Sequence, residues 1–375
     1  MMKNTNWLVL IMALLVSCNL KSQDEELNDD NSITLFVGTY TAEGSHGVYI
    51  YQFDTLQVKT LLVDSISIVN PSFMTLTPDE KLFYSVSESN DAKIDGVHGY
   101  LFDSNKRSLK YINSELTHSE APCHILYSEN ERVLYTANYG GGSVSSFQIG
   151  DLGFIMGDAS VYDFDFTETS LTDRQEQAHI HHLLLSPDNK HLFINDLGNN
   201  MIYQYENSPK IDFSQFKGYY TGEATGPRHS VFHPNERWLY LLTELSGEVI
   251  AYNYSDGELS EFQRIEADSL KAQGSADIVI SKDGRYLYSS HRLKGDGVSI
   301  FSIDPESGLL TKIAYQDTGS HPRNIAVTPN GSHLLVACRD SNTVEFYKIE
   351  ESGLLTNTNH SIALSMPVCL LMSSK

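Results

Sequence analysis

The sequence predicts an all-β protein, a seven-bladed β-propeller with four-stranded antiparallel blades, one of them composite. Three observations support this fold. One phrase, made of a turn, an apolar strand, a polar hairpin and a second strand rich in Leu and Tyr, recurs seven times at intervals of about fifty residues. Tyr and Phe are abundant, with 21 and 16 copies, and helical periodicity is nearly absent. The two ends of the chain each supply part of one blade.

The repeats mark where each blade begins. They open at a Pro or an Ala, namely at Pro71, Pro122, Ala178, Pro227, Ala276, Pro322 and Pro367. Polar turns such as Pro187-Asp188-Asn189-Lys190 then join the first strand to the second. A period of about fifty residues fits a four-stranded blade. The interruption over residues 151–177 is predicted to be an outer strand followed by an extended loop.

The strands near the two ends predict how the ring closes. The last phrase, from Pro367 to Met372, has room for one strand before Lys375. Three apolar segments near residues 35–40, 48–53 and 61–66 lack the first strand of a blade. We expect the C-terminal strand to complete that blade, because the pairing would leave no open radial edge.

Residues 1–18 resemble a lipoprotein signal peptide. Lys3 precedes an apolar run, residues 7–16, that is too short for a membrane span, and Leu15-Val16-Ser17-Cys18 resembles a bacterial lipobox. We expect acylation of Cys18, and the alternative is an ordinary signal with a coincidental Cys. Residues 19–32 are polar and acidic, which predicts a disordered tether, and residues 33–375 are expected to form the propeller. The expected location is the outer membrane or periplasm, with the cell surface as a further hypothesis.

Charge and cysteine content narrow the function classes. The formal net charge of -22 argues against nucleic-acid binding and against any membrane attachment other than a lipid anchor. Apart from Cys18, the chain contains Cys123, Cys338 and Cys369, with no CxxC spacing, so no zinc framework is predicted. One disulfide or three buried thiols are the alternatives. No cofactor is expected.

Propeller geometry places the unusual polar residues on one rim. The start of the first strand and the end of the second lie at the same rim, because the two strands are antiparallel. The hairpin tips at the other rim carry ordinary turn residues. The first rim carries His, Arg and other polar residues, among them Asn138, His179, His181, Arg228, His229, Glu244, Arg292, His321 and Arg323. A basic rim on an acidic protein predicts a pocket for a small anionic molecule.

Several phrases along the chain resemble one known family. They include Ala137-Asn138-Tyr139-Gly140-Gly141-Gly142, His179-Ile180-His181, Gly226-Pro227-Arg228-His229, Thr243-Glu244-Leu245 and His321-Pro322-Arg323-Asn324. Together they are similar to the lactonase seven-bladed β-propeller family, which contains the propeller-type 6-phosphogluconolactonases and the carboxymuconate lactonizing enzymes. This resemblance implies an enzyme, a lactonase that hydrolyses a sugar-acid-type lactone without a metal. The implied partner is a small anionic or polyhydroxylated lactone.

The resemblance also implies which residues act. Matching phrases place the family's catalytic His, two Arg and Glu at His181, Arg228, Arg292 and Glu244. Rim position makes substrate-binding candidates of His179, His229, Asn138, His321 and Arg323. Residue chemistry allows either His181 or Glu244 to act as the base, with the arginines stabilising negative charge.

Structural alternatives exist for these residues. Arg228 and Glu244 are also the residue types of a structural salt bridge between blades. His179 and His181 share a strand face, as two metal ligands would, but no third ligand stands at a suitable spacing. His182 is predicted to point to the opposite face and to pack there.

Two function classes follow from the sequence. The first is the lactonase, and the alternative is a lipid-anchored, non-catalytic propeller that binds ligands or proteins, since the same fold supports either. Export favours an unphosphorylated or extracellular lactone, because phosphorylated sugar lactones arise in the cytoplasm.

Overall fold

The computed structural model describes residues 27, 29–42, 44–167, 172–208 and 210–374. The expected signal segment, with Cys18, and most of the expected tether lie outside these residues. A short 3-10 helix, Asp29–Asn31, leads into the first strand at Ser32, which is the last residue of the predicted tether. No helix in the described part of the chain has the length and apolar character needed to cross a bilayer.

The described chain forms seven four-stranded antiparallel sheets, which confirms the predicted fold. Blade 7 contains β1 (Ser32–Thr39), β2 (Gly47–Asp54) and β3 (Lys59–Ser67). Blade 1 contains β4 (Met74–Leu76), β5 (Leu82–Ser87), β6 (Gly96–Asp103) and β7 (Ser108–Leu116). Blade 2 contains β8 (Pro122–Ser128), β9 (Val133–Asn138), β10 (Ser143–Ile149) and β11 (Ile155–Asp163), with a 3-10 turn at Asp151–Gly153.

The remaining blades follow the same plan. Blade 3 contains β12 (Ile180–Leu185), β13 (His191–Asp196), β14 (Met201–Glu206) and β15 (Lys217–Tyr220). Blade 4 contains β16 (Pro227–Phe232), β17 (Trp238–Thr243), β18 (Glu248–Ser255) and β19 (Glu258–Glu266). Blade 5 contains β20 (Ser275–Ile280), β21 (Tyr286–His291), β22 (Gly297–Ile303) and β23 (Leu310–Asp317). Blade 6 contains β24 (Pro322–Val327), β25 (His333–Cys338), β26 (Thr343–Ile349) and β27 (Leu355–Ala363).

The ring closes through the predicted composite blade. The last strand, β28 (Pro367–Met372), pairs with β1, and the sheet order is β28-β1-β2-β3. Leu35 lies opposite Met372, and Gly38 lies opposite Cys369. The pairing uses the backbone groups of β1 that face the channel, so β1 is not left as an edge strand and the two ends of the chain are joined in one sheet.

Apolar packing between neighbouring blades forms the core. The buried apolar residues of the described chain fall into clusters that each join two adjacent blades. Leu35 and Phe53 of blade 7 pack against Leu335 and Phe346 of blade 6, for example. The second strands β9, β17 and β25 are buried along their whole length, which explains why they are mainly apolar and do not alternate between apolar and polar residues. The blades therefore support one another around the ring.

The long interruption after β10 contains the predicted outer strand. Strand β11 is the outer strand of blade 2, and the segment after it crosses to β12. The Asn199 side chain accepts a bond from the backbone N of Thr167 at 3.0 Å and donates to the Asp165 carbonyl at 3.0 Å. The buried Gln175 side chain donates to the Leu197 carbonyl at 2.7 Å. These bonds fix both described ends of the crossing to blade 3.

Candidate active site

A cavity of about 340 Å³ lies at the rim where the inner strands begin, an inner strand being the first strand of a blade, which lines the central channel. Its volume is within the range of small-molecule sites. The lining residues are Tyr40, Glu88, Cys123, Tyr139, Arg174, His181, Arg228, Glu244, Arg292, Leu293, His321 and Arg323. The predicted quartet of His181, Arg228, Glu244 and Arg292 therefore meets around one cavity, although it comes from three blades.

A repeated β-bulge supplies four of the lining side chains. In blade 2, Pro122 pairs with Asn138 and His124 pairs with Ala137, so Cys123 is an extra residue. The same shift occurs at corresponding positions in three other blades and leaves His181, Arg228 and Arg323 as the extra residues. A bulge re-aims a side chain that regular pleating would direct elsewhere. The bulges therefore direct these four side chains into the cavity.

A second repeated position supplies five more lining residues. Each directly follows the second strand of its blade, and they are Tyr40, Glu88, Tyr139, Glu244 and Arg292. The backbone N of this residue donates to the carbonyl of a residue just before the inner strand. Glu244 N donates to Gly226 O at 2.7 Å, and Arg292 N donates to Gly274 O at 3.0 Å. Both positions supply lining residues in blade 2, with Cys123 and Tyr139, and in blade 4, with Arg228 and Glu244.

Glu244 binds three arginines. Arg228 Nε donates to Oε2 at 2.9 Å, while Arg292 Nη2 and Arg174 Nη2 donate to Oε1 at 3.1 Å and 3.0 Å. Arg228 and Glu244 belong to blade 4, whereas Arg292 closes the second strand of blade 5. The salt bridge considered from sequence is therefore present, but it lies within blade 4 and not between blades. The contact from Arg292 of blade 5 is the one that joins two blades.

The cluster keeps Glu244 ionised. Burial alone would raise the pKa of this carboxyl group, but Arg292, Arg228 and Arg174 outweigh burial and lower the pKa to about 2. A carboxylate with such a pKa is a weak base near neutral pH. Its chemistry suits orientation of the arginines better than proton transfer.

His181 is a neutral imidazole that faces the cavity. Burial, followed by the positive charge of Arg228, holds its pKa well below the usual 6.5. Nδ1 lies 3.8 Å from Cys123 Sγ, and Nε2 has no hydrogen-bond partner in the described part of the chain. Burial also raises the pKa of the Cys123 thiol, so this sulfur is a poor nucleophile. Of the two, His181 is the group that can accept a proton.

The opposite wall of the cavity holds a second charged group. Arg323 Nη2 lies 3.9 Å from Glu88 Oε2, and its guanidinium stands 5.3 Å above the Tyr40 ring. Burial raises the pKa of Tyr40 to about 12, so its hydroxyl is a neutral donor, placed 3.3 Å from Glu88 Oε2. The cavity therefore has four arginines against two glutamates and carries a positive charge in a protein of net charge -22.

The remaining predicted residues divide into two groups. His321 and Arg323 line the cavity, and Arg292 Nη1 lies 3.3 Å from His321 Nε2. His179, His229 and Asn138 are not among the lining residues. His179 Nδ1 bonds to the Tyr139 carbonyl at 2.9 Å, and its ring stacks on that of Tyr139 at 4.2 Å. Asn138 is buried among Ser143 and Ser145.

A layer of histidines lies one residue further along the inner strands. His124, His182 and His229 each follow a bulged residue, and their ring centroids are 4.3 Å apart for His124 and His182 and 4.8 Å apart for His182 and His229. His229 Nδ1 bonds to Asp277 Oδ1 at 2.8 Å. His182 therefore does not point away from His181 as predicted, because the bulge at His181 breaks the alternation of the strand.

Sequence reasoning missed several lining residues. Tyr40 and Glu88 occupy the same position in the repeat as Glu244 and Arg292, directly after the second strand, so alignment of the repeats could have found them. Arg174 is the only basic residue in the acidic interruption 151–177, and this isolated positive charge is the sequence feature that could have identified it. Nothing in the sequence pointed to Leu293.

The cysteines and metal ligands were left open by the sequence. Cys123, Cys338 and Cys369 are free and buried, so the alternative of buried thiols is the observed one. Within the described ranges, no group of three His, Cys, Asp or Glu side chains is arranged to hold a metal ion.

Comparison with known proteins identifies the family. A model of the family described as lactonase, 7-bladed beta-propeller, matches residues 34–372. The chain belongs to this family. The resemblance drawn from the phrases around His181, Arg228 and Glu244 is confirmed, and so, at the level of the family, is the prediction of a lactonase.

Individual relatives within the lactonase family cover nearly the whole propeller. A 6-phosphogluconolactonase of Formosa agariphila is 35% identical over 335 residues, which cover 86% of this chain and 94% of the relative. A solved structure from Bacteroides fragilis is 37% identical with a TM-score of 0.88, and the match covers 93% of this chain and 100% of that chain. The periplasmic gluconolactonase of Pseudomonas aeruginosa is 27% identical with a TM-score of 0.85, and covers 92% and 99% of the two chains.

Proposed function

We propose that this protein hydrolyses a sugar-acid-type lactone in the cavity at the rim where the inner strands begin. The observation that carries the proposal is the meeting of His181 with Arg228, Arg292 and Glu244 around a cavity of about 340 Å³. A lactone carbonyl needs donors for the oxyanion that forms on it, and arginines supply them. The family relationship supports the same reaction class.

In the proposed reaction, water attacks the lactone carbonyl. As the bond from the water oxygen to carbon forms, Nε2 of His181 accepts a proton from that water, and negative charge develops on the carbonyl oxygen. The ring C–O bond then breaks, and the protonated His181 returns the proton to the leaving alkoxide. The product is an open hydroxy acid, which loses its own proton to solvent at neutral pH.

The proposal assigns separate roles to His181 and Glu244. His181 acts as the base because it is neutral and its Nε2 is free of other partners in the described chain. Glu244 orients Arg228 and Arg292, because both of its carboxylate oxygens already accept hydrogen bonds from arginines. The arginines stabilise the oxyanion, and an interaction of this kind typically contributes about 3 kcal/mol to the barrier reduction.

The test is a lactone panel with a matched pair of variants. We expect the wild-type protein to hydrolyse aldonolactones or their phosphorylated forms, with His181→Gln lowering kcat by about 100- to 10,000-fold because the proton acceptor is lost. His191→Gln is the control, since His191 lies at the far end of its blade and bonds to Tyr254 at 3.0 Å. The rates are measured as acid release against the buffer rate.

Two outcomes contradict the proposal. Wild-type rates equal to buffer for every lactone would leave the non-catalytic binding propeller as the better description. Equal rates for His181→Gln and the wild type would remove His181 from the reaction.

We also propose that the chain is exported and anchored through Cys18. The lipobox-like segment supports this, and the periplasmic location named for the Pseudomonas aeruginosa relative agrees with it. Metabolic labelling of expressing bacteria with a palmitate analogue is expected to mark the wild type and not Cys18→Ala. Cys369→Ala is the control, because that thiol is buried in the propeller. Equal labelling of Cys18→Ala and the wild type would refute the anchor.

A further inference from the structure

Arg174 differs from the other arginines of the cavity in its origin and its exposure. It comes from the segment that crosses from blade 2 to blade 3, whereas Arg228, Arg292 and Arg323 lie at blade positions repeated around the ring. Its side chain is 44% exposed, against 2% for Arg228 and 6% for Arg292. Arg174 therefore stands between the cavity and solvent.

Glu244 does not need Arg174 for charge balance. Arg228 contacts Oε2 of Glu244, and Arg292 contacts Oε1, so two buried cations already pair with one carboxylate. Arg174 adds a third cation and shares Oε1 with Arg292. Withdrawal of Arg174 would leave both carboxylate oxygens of Glu244 paired with buried arginines, whereas withdrawal of Arg228 would leave Oε2 without a cation.

Arg174 is also the least restrained of the three arginines. Arg228 donates to the Ala276 carbonyl, and Arg292 donates to the Gly274 carbonyl at 3.0 Å. In the described part of the chain, the guanidinium of Arg174 bonds to no backbone carbonyl, and its partners are the Glu244 carboxylate and the Tyr139 hydroxyl at 3.3 Å. Its backbone is held by the neighbouring Gln175, whose side chain donates to the Asn200 side chain at 2.8 Å. The base of this arm is thus fixed while its charged end can exchange partners.

We propose that Arg174 is a movable arm that leaves Glu244 to clasp an anionic group on the lactone, and so sets the preference of the site for charged over neutral substrates. The inference rests on the proposed lactonase function. An exposed guanidinium over a positive cavity suits a phosphate or a carboxylate, because it can offer two parallel N–H donors. A neutral lactone has no anionic group that could compete with Glu244 for Arg174, so Arg174 is expected to stay bound to Glu244.

The experiment compares three lactones in the full-length protein. Glucono-δ-lactone is neutral, 6-phosphoglucono-δ-lactone carries a phosphate, and glucaro-1,4-lactone carries a carboxylate. We expect Arg174→Met to raise KM for the preferred charged lactone by about 10- to 100-fold, with a smaller change in kcat. The loss for the neutral lactone is expected to be at least about tenfold smaller. Arg174→Lys should recover part of the affinity, because it keeps the charge.

A matched control separates a local effect from loss of one positive charge. Arg132 is 49% exposed and pairs with Asp151 at 3.2 Å, but it lies beside a hairpin tip on the other rim. Arg132→Met should leave KM unchanged for all three lactones. Added salt should raise KM for the charged lactone in the wild type and have less effect in Arg174→Met.

Three kinetic results would overturn the inference. They are an equal loss on charged and neutral lactones, no loss on a charged lactone, and a wild type without preference for charged lactones. If the wild type hydrolyses none of the three, the proposed function fails and the arm is tested by calorimetry with 6-phosphogluconate. Weaker binding by Arg174→Met than by the wild type would then support the arm, and equal binding would overturn it.

Discussion

Replacing Glu244 by Gln is expected to lower the free energy of unfolding by about 3–5 kcal/mol. Glu244 is 4% exposed and accepts hydrogen bonds from Arg174, Arg228 and Arg292. The amide has nearly the same shape but no charge, so the cluster loses the only carboxylate that contacts it among the described residues. Two buried guanidinium groups then repel each other without compensation, and only the exposed Arg174 can move into solvent.

The loss should be visible in equilibrium urea denaturation followed by circular dichroism. Glu248→Gln is the matched control, because Glu248 belongs to the same blade and pairs with Arg264 at 3.5 Å on a surface where both side chains are about 30% exposed. That control should change stability by about 1 kcal/mol or less. Added phosphate should restore part of the loss in Glu244→Gln, since an anion can take the place of the carboxylate.

A Glu244→Gln variant as stable as the wild type would contradict this account of the cluster. It would mean that Arg228 and Arg292 do not depend on Glu244 for compensation. Stabilisation of the variant by chloride and phosphate to the same extent would likewise contradict a site shaped for a multivalent anion.

Acid is expected to destabilise the propeller steeply below pH 6.5. Burial, together with nearby positive charge, lowers the pKa values of His124, His181, His182 and His229 well below 6.5. These imidazoles stay neutral in the folded protein, whereas the unfolded chain can protonate them at about pH 6.5. The unfolded state therefore binds more protons as the pH falls, and the free energy of unfolding decreases.

One carboxyl group acts in the opposite direction. Burial raises the pKa of Asp277 to about 6, so the folded protein binds one proton here that the unfolded chain does not bind until lower pH. That contribution to stability is present at low pH and is lost as the pH rises through 6. Against the four histidines it leaves a net uptake of about three protons on unfolding between pH 4 and 6. These five groups contribute about 4 kcal/mol per pH unit to the slope, and the lowered pKa values of His98, His291 and His321 act in the same direction as those of the four histidines.

The measurement is urea denaturation at a series of pH values from 5 to 8. His182→Gln removes one of the four groups and should reduce the slope below pH 6 by about 1.4 kcal/mol per pH unit. His46→Gln is the control for the substitution itself, because the His46 side chain is exposed and does not belong to this buried group. Equal free energies of unfolding of the wild type at pH 5 and pH 7 would contradict this prediction, because they would mean that the buried histidines can take up protons in the folded protein without loss of stability.

The sequence predicted the location of the site more accurately than the contacts that individual residues make there. Position within the repeat was enough to bring Arg228, Glu244 and Arg292 to one rim, because every blade places its strand ends in the same way. It did not distinguish cavity positions from the layer beneath, so His229 and Asn138 were grouped with the lining residues. That distinction depends on the bulges, which change the direction of neighbouring side chains and have no sequence signature of their own.

By itself the sequence determined the number of blades, the closure through β28 and β1, and the rim that carries the charged residues. These features follow from the repeat period and from strand alternation, both of which are local properties of the chain. Only the tertiary structure decided that Glu244 has three arginine partners and that Arg174 is one of them. Arg174 and Glu244 are 70 residues apart, and their contact depends on how two blades and a crossing segment pack together.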